Sequence, residues 1–328
     1  MQYRVLGRTG LRISEIGLGC ASFWGMRRFD ETEAVRLVHA AIDHGVTFFD
    51  TGPAYSGGNA ESRLGRALAS HGRRADLAIA TKAGSRTNPY GRRIVDFSPA
   101  GVRDTVEHSL VRLGIDAISL LQLHGPEISD LTDELLRTLE NLKSEGKVLH
   151  LSVNSFDDEV IRHVLAMPIF GAVMIDYSVL SPPREQLIAE LAARGFGILA
   201  GQALGGALFR QDRYRIRGVQ DLWYLARAWK NHRPVLRRGG RFSFINQDQT
   251  SPASQIALAW VLRRPEITCA VFGTTRMNHL LENIQASGKA LTGPQLRTIE
   301  TVRNEAGREQ FASRGGEDNG EAGRRRSS

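Results

Sequence analysis

Cysteine is nearly absent from this chain: Cys20 and Cys269 are the only two among 328 residues. Two such distant thiols exclude a disulfide-stapled scaffold, and they lack the spacing of metal ligands, so no metal site is expected. Long apolar runs are missing too, and Met1-Gln2-Tyr3-Arg4 opens no charged-then-apolar signal pattern. These absences predict a soluble protein of a reducing cytoplasm with no membrane partner. A Gly-x-Gly-x-x-Gly turn after the first strand is also lacking, which argues against a doubly wound dinucleotide sheet.

What is present is enough apolar material, 41% of the residues, to bury a large core. From Glu15 onward, strand and helix signals alternate with a period of roughly 30 to 40 residues, the size of a βα unit. Strands are expected at 15–20, 46–50, 77–82, 117–123, 147–154, 169–177, 196–200 and 267–272. Helices are expected between them. Asp30 and Glu33 form a capping-box-like start ahead of a face carrying Val35, Val38 and Ile42. Ser98-Pro99 and Ser251-Pro252 read as further helix starts, and Gly146 as a stop.

Eight such units without a composition break predict an α/β fold, a (β/α)8 TIM barrel over residues 1–312. Tyr3–Leu6 and Arg12-Ile13, separated by Gly7-Arg8-Thr9-Gly10, predict an N-terminal β-hairpin that plugs the bottom of the barrel. The tail, 313–328, is rich in Gly, Arg and Glu without apolar periodicity and is expected to be disordered. A long loop follows strand seven, from Gly205 to Gln249, and loops of that length are usually lids or binding elements.

Charge is concentrated in that loop. The chain carries a net +8, and the stretch 206–248 alone holds ten basic residues against Asp212, Asp221 and Asp248. Together with its aromatics the stretch could read as a nucleic-acid surface, but no nucleic-acid module accompanies it, so a flap is the expectation and nucleic acid is not an expected partner. Oligomeric state is not legible.

Four residues carry the chemistry. Asp50 ends the run Val46-Thr47-Phe48-Phe49, Tyr55 lies five residues beyond, Lys82 ends Leu77-Ala78-Ile79-Ala80-Thr81, and His124 ends Ile118-Ser119-Leu120-Leu121-Gln122-Leu123. An acid, a phenol, an amine and an imidazole at the C-terminal ends of neighbouring parallel strands face one cleft, which predicts a single proton-transfer site.

The stretch Gly45-Val46-Thr47-Phe48-Phe49-Asp50-Thr51-Gly52-Pro53-Ala54-Tyr55 resembles the signature around the catalytic Asp and Tyr of aldo-keto reductases, and Lys82 and His124 fit that family's remaining catalytic positions. The resemblance runs from about Gln2 to Ala286. It implies a carbonyl or alcohol as small-molecule substrate and NADP as cofactor. The chemistry is coherent with it. A free phenol, with a pKa near 10, is a poor acid at neutral pH, and a neighbouring ammonium favours phenolate. Lys82 would tune Tyr55, Asp50 would orient Lys82, Tyr55 would protonate the carbonyl oxygen, and His124 would donate a hydrogen bond to it.

The resemblance extends to the cofactor. The segment from Val271 to Asn283 resembles the family's hold on the adenosine end of NADP. Gly273, Thr274, Thr275, Arg276 and His279 fall where a helix start favours phosphate, with Glu282 and Asn283 as adenine contacts. Gln202, Leu204 and Gly206 match the pyrophosphate loop. Three departures stand out. Gly201 takes a position where the family often has an aromatic ring, Met174 one where it commonly has Gln, and Ser152-Val153-Asn154-Ser155 replaces an adjacent Ser-Asn. Period two places Ser152 and Asn154 on one face, as carboxamide partners. Trp24 and Tyr90 are expected to wall the substrate pocket. The expected activity is NADPH-dependent reduction of an aldehyde or ketone. Alternatives are a redox-neutral or epimerising enzyme that retains NADP, and a non-catalytic nucleotide-sensing subunit.

Overall fold

Eight parallel strands close into a barrel. They are β3 (Ile16–Gly19), β4 (Phe48–Asp50), β5 (Ala78–Ala83), β8 (Ile118–His124), β9 (Val148–Asn154), β10 (Ala172–Asp176), β11 (Gly197–Gly201) and β12 (Ile267–Phe272), with β12 pairing back onto β3. The structure is a computed structural model that describes residues 1–72, 76–87, 92–205, 240–248 and 250–305. The expected tail, Tyr90, Gly206 and most of the basic loop lie outside the described residues.

Each barrel strand leads to a helix: α1 (Glu31–Asp43), α2 (Asn59–His71), α3 (Pro99–Leu113), α4 (Asp133–Ser144), α5 (Asp158–Val164), α6 (Glu185–Ala193), α7 (Ala253–Leu262) and α8 (Met277–Ile284). The start of α1 is fixed as expected, with the Asp30 carboxylate accepting from the Glu33 amide at 2.9 Å. Its buried face holds two of the three expected residues, Val38 and Ile42. Ala34, Leu37, Val38, Ala41 and Ile42 are buried, whereas Val35 is half-buried. Ser98 caps α3 through the Gly101 amide at 3.1 Å. Ser251 does not cap α7; Pro252 occupies the cap position with no side-chain bond there.

Two apolar layers hold the barrel. Between strands and helices lies a large cluster that includes Leu64, Val106, Leu121, Leu139, Ile175 and Trp260. Inside the barrel is a smaller one, with Phe48, Ala78, Ala80, Leu120, Ala172, Met174, Leu199, Cys269 and Val271. Leu6 and Ile13 join this inner cluster from an antiparallel hairpin, β1 (Tyr3–Val5) with β2 (Arg12–Ser14), so the hairpin does plug the barrel floor. Burying each such aliphatic side chain contributes roughly 1.5–3 kcal/mol. The interior is therefore a packed floor, and Lys82, Gln122, Ser152 and Asn154 take inward positions near the C-terminal ends of their strands.

One element was not legible in the sequence. A second hairpin, β6 (Ser85–Thr87) with β7 (Arg93–Val95), follows β5 directly and lies over the turn that carries Tyr55. Gly84 makes it possible. Its φ is +87°, and a Cβ there would sit 1.9 Å from the Phe97 ring, so only glycine permits this reversal.

Candidate active site

Period two along β5 points Ala78, Ala80 and Lys82 inward, the first two into the floor and the third into the layer above it. There the Lys82 ammonium is wholly buried and donates to both Asp50 oxygens, at 2.9 Å (Oδ1) and 2.7 Å (Oδ2), and to the Thr51 carbonyl at 2.7 Å. Gln122, one strand further round, donates to Asp50 Oδ1 at 2.6 Å. Asp50 is thus clamped by a cation and an amide. A buried charge needs such partners to persist.

Behind this pair, Thr81 donates to the buried Glu61 at 2.6 Å, and Arg112 donates to the other Glu61 oxygen at 2.8 Å. These bonds pin α2 and α3 to the outer face of β5 and fix the height at which Lys82 emerges.

Tyr55 begins a short 3₁₀ turn, Tyr55–Gly58, and Lys82 Nζ lies 4.9 Å from its ring centroid. His124 meets that ring edge-on, with centroids 6.0 Å apart. All four residues singled out by sequence therefore converge at the C-terminal mouth of the barrel. Burial, the largest single influence, pulls the Lys82 pKa down. The charges of Asp50 and then Tyr55, with hydrogen bonds to both, outweigh it, and the net direction is up. The lysine is an ammonium at any physiological pH.

Sequence reasoning missed Gln122, Thr51 and Ser85 as members of this site. Ser85 Oγ lies 2.7 Å from His124 Nδ1 and is 1% exposed. Cys20 donates its backbone N–H to the Asp50 carbonyl at 2.7 Å, but burial and then Asp50 push its thiol pKa up. Such a thiol is inert.

The expected carboxamide partners end β9. Ser152 is buried and its hydroxyl has no hydrogen-bond partner among the described residues. The Asn154 amide faces only a soft acceptor, Met174 Sδ at 3.3 Å. Ser155, next along, ties β9 to β10 through the Met174 carbonyl at 3.2 Å. A Cβ added to Gly201 would lie 3.2 Å from Met174 Cγ and Sδ, so the methionine occupies the space beside that glycine.

At the far side of the mouth, Gly273 follows β12, and a Cβ there would come within 3.1 Å of the Gly19 carbonyl. Thr274 Oγ1 accepts from the Arg276 amide at 3.2 Å, and Arg276 is the N-cap of α8. Thr275 and His279 are half-buried near this helix start, where backbone N–H groups favour an anion. Glu282 accepts from Ser254 of α7, and Asn283 is buried with Oδ1 unsatisfied among the described residues. Gln202 stands at φ +52°, and its carbonyl accepts from Gly205 with half-buried Leu204 between them. Ser152 on β9 and Asn283 on α8 each leave a polar atom without a partner among the described residues, and the start of α8 favours an anion, a set of groups that suits a polar, phosphorylated ligand.

Trp24 lies in the turn Ser22–Gly25 and is 2% exposed. Its carbonyl accepts from the buried Arg63 at 2.6 Å, while its indole N–H has no partner among the described residues.

A closed (β/α)8 barrel thus carries a buried Lys–Asp pair beside a tyrosine and a histidine at its C-terminal mouth, an arrangement that suits proton transfer to a bound substrate. Comparisons with known proteins agree. The profile of the Aldo/keto reductase family matches residues 15–304, and the chain belongs to that family. It is 28% identical over 315 residues to the uncharacterized oxidoreductase YqkF of Bacillus subtilis (strain 168), covering 92% of this chain and 96% of that one. It is 29% identical over 313 residues to the probable aldo-keto reductase 1 of Glycine max, covering 90% and 86%. Among solved structures, the aldo-keto reductase AKR11C1 from Bacillus halodurans in its holo form superposes with a TM-score of 0.76 at 26% identity, covering 92% and 96%. The chain is accordingly an NAD(P)-dependent oxidoreductase acting on carbonyl groups.

Proposed function

We propose that the protein reduces an aldehyde or ketone with NADPH and runs the reverse alcohol oxidation, with Tyr55 as proton donor. The observation that supports this most is the Lys82 ammonium, held by Asp50 and Thr51 4.9 Å from the Tyr55 ring centroid. A nicotinamide cofactor, when bound, would supply the hydride for the carbonyl carbon. Tyr55 passes its phenolic proton to the carbonyl oxygen as charge develops there, and the ammonium stabilises the phenolate left behind. Asp50 keeps that ammonium in place. His124 donates a hydrogen bond to the same oxygen and orients the carbonyl. Arg276 and His279 take the 2′-phosphate that distinguishes NADPH, because a guanidinium forks onto phosphate oxygens. Gln202 and Leu204 would hold the pyrophosphate, and Trp24 would border the substrate. Two buried free cysteines suit a reducing cytoplasm.

A second reading is an epimerising or redox-neutral enzyme that keeps its cofactor. Met174 beside Gly201 favours it, because a thioether there gives the nicotinamide a surface unlike an aromatic ring. Incubation with NADPH and a panel of aldehydes, ketones and sugars separates the two. Net loss of NADPH absorbance supports the reductase; substrate conversion without it supports the alternative. Tight NADPH binding with no conversion of any substrate counts against both.

A further inference from the structure

His124 is brought to the mouth by β8, and its Nδ1 meets a residue from outside the barrel. Gly84 reverses the chain at φ +87°, with its carbonyl accepting from the Asp96 amide at 2.9 Å and the Phe97 ring filling the side where a Cβ would be. This turn delivers Ser85, paired with Val95 across the hairpin, to within 2.7 Å of His124 Nδ1. The contact is 1% exposed on the serine side, so bulk water does not compete for the hydroxyl.

A neutral imidazole has one nitrogen that donates and one that accepts, and the partner of one nitrogen fixes the role of the other. Nδ1 is engaged by Ser85, so on the carbonyl-reducing reading it is Nε2 that meets the substrate oxygen. If Nδ1 held the proton, Nε2 would present a lone pair to a carbonyl oxygen, and the two would repel. If Ser85 donates, Nε2 carries the proton and polarises the carbonyl.

We propose that Ser85 is a positioning residue whose Oγ–H donates to His124 Nδ1 and holds the neutral ring in its Nε2–H tautomer. The inference rests on the carbonyl-reducing reading of the same site. It adds that the β6–β7 hairpin, reached through Gly84, is part of the machinery. The role assigned to Ser85 runs through the imidazole ring.

The test is imidazole ¹⁵N NMR on the full chain labelled at its nine histidines, at pH about 8, where an unperturbed imidazole is neutral. His124→Gln assigns the relevant signals. The expected wild-type pattern is a protonated Nε2 and a bare Nδ1 for His124. Ser85→Ala should give a mixture of tautomers and lower kcat/KM by about tenfold, the rate equivalent of one hydrogen bond, with NADPH affinity unchanged. Ser85→Thr, which keeps the hydroxyl, should restore the single tautomer. A protonated Nδ1 in the wild type, or wild-type tautomer populations in Ser85→Ala, overturns the proposal. The spectrum is recorded without substrate, so it decides the tautomer even if no carbonyl is turned over; turnover alone bears on the broader reading.

Discussion

Asp50 accepts the Lys82 ammonium on both carboxylate oxygens, at 2.9 and 2.7 Å, with both side chains buried. The pair is a structural commitment as well as a catalytic one. Removing one partner strands the other charge in a low-dielectric interior. Asp50→Asn or Lys82→Met alone should each cost about 3–5 kcal/mol of stability. The double variant should cost clearly less than the sum, because neither charge is then orphaned. Urea unfolding of the three variants measures this, and strict additivity would mean the pair is not coupled.

The same pair sets an alkaline limit. The folded-state pKa of Lys82 is raised. Its contribution to stability is therefore fully present below the unfolded lysine value, about 10.4, and is lost as pH rises through the higher folded value. Thermal melts between about pH 9 and pH 12 should show the wild type losing stability through this window. Lys82→Met, weaker throughout, should lack that component of the decline. Parallel curves for the two proteins would refute the assignment.

The proposed preference for NADPH rests on Arg276, the N-cap of α8. Arg276→Ala should weaken NADPH binding by about 10- to 100-fold, the range of one charge-assisted hydrogen-bonding contact, and leave NADH affinity nearly unchanged. Titration of the quenched protein fluorescence with each nucleotide gives both constants. An equal loss for NADPH and NADH would locate the phosphate elsewhere.

On the proposed reading, Met174 and Gly201 lie at the nicotinamide end of the cofactor, where the methionine fills the space beside the glycine. The Asn154 amide has a thioether as partner at 3.3 Å, a weaker acceptor than an amide oxygen. Met174→Gln should tighten NADPH binding by up to about tenfold by giving both Asn154 and a carboxamide a better partner. Gly201→Tyr alone should weaken binding, since the new Cβ already presses on Met174 at 3.2 Å. The opposite ranking of the two variants would show that the thioether is the preferred surface.

Much of this site was legible because its residues end apolar runs. Asp50, Lys82 and His124 each break a stretch of buried aliphatics, and a charge at the end of a parallel strand has one place to go. Gln122 was equally accessible to the same logic. It shares the inward face of β8 with Leu120 and His124, and an amide at a core position demands a partner. Ser85 was not accessible. A lone serine after a glycine carries no periodic signal, and its proximity to His124 depends on the Gly84 turn and the Phe97 ring against it. For α1, spacing and phase were both largely visible: Val38 and Ile42 are buried, and half-buried Val35 lies at the edge of the stripe, whose remaining members Ala34, Leu37 and Ala41 complete it.

The central claim is that Tyr55 gives up the proton, with Lys82 and Asp50 beneath it. Tyr55→Phe removes one hydroxyl and leaves the ring, the buried pair and the cofactor residues in place. With the best carbonyl substrate found for the wild type, single-turnover NADPH oxidation should fall by about 10²- to 10⁴-fold while NADPH affinity and the melting curve are retained. A variant that oxidises NADPH at a rate within a few-fold of wild type would contradict the account.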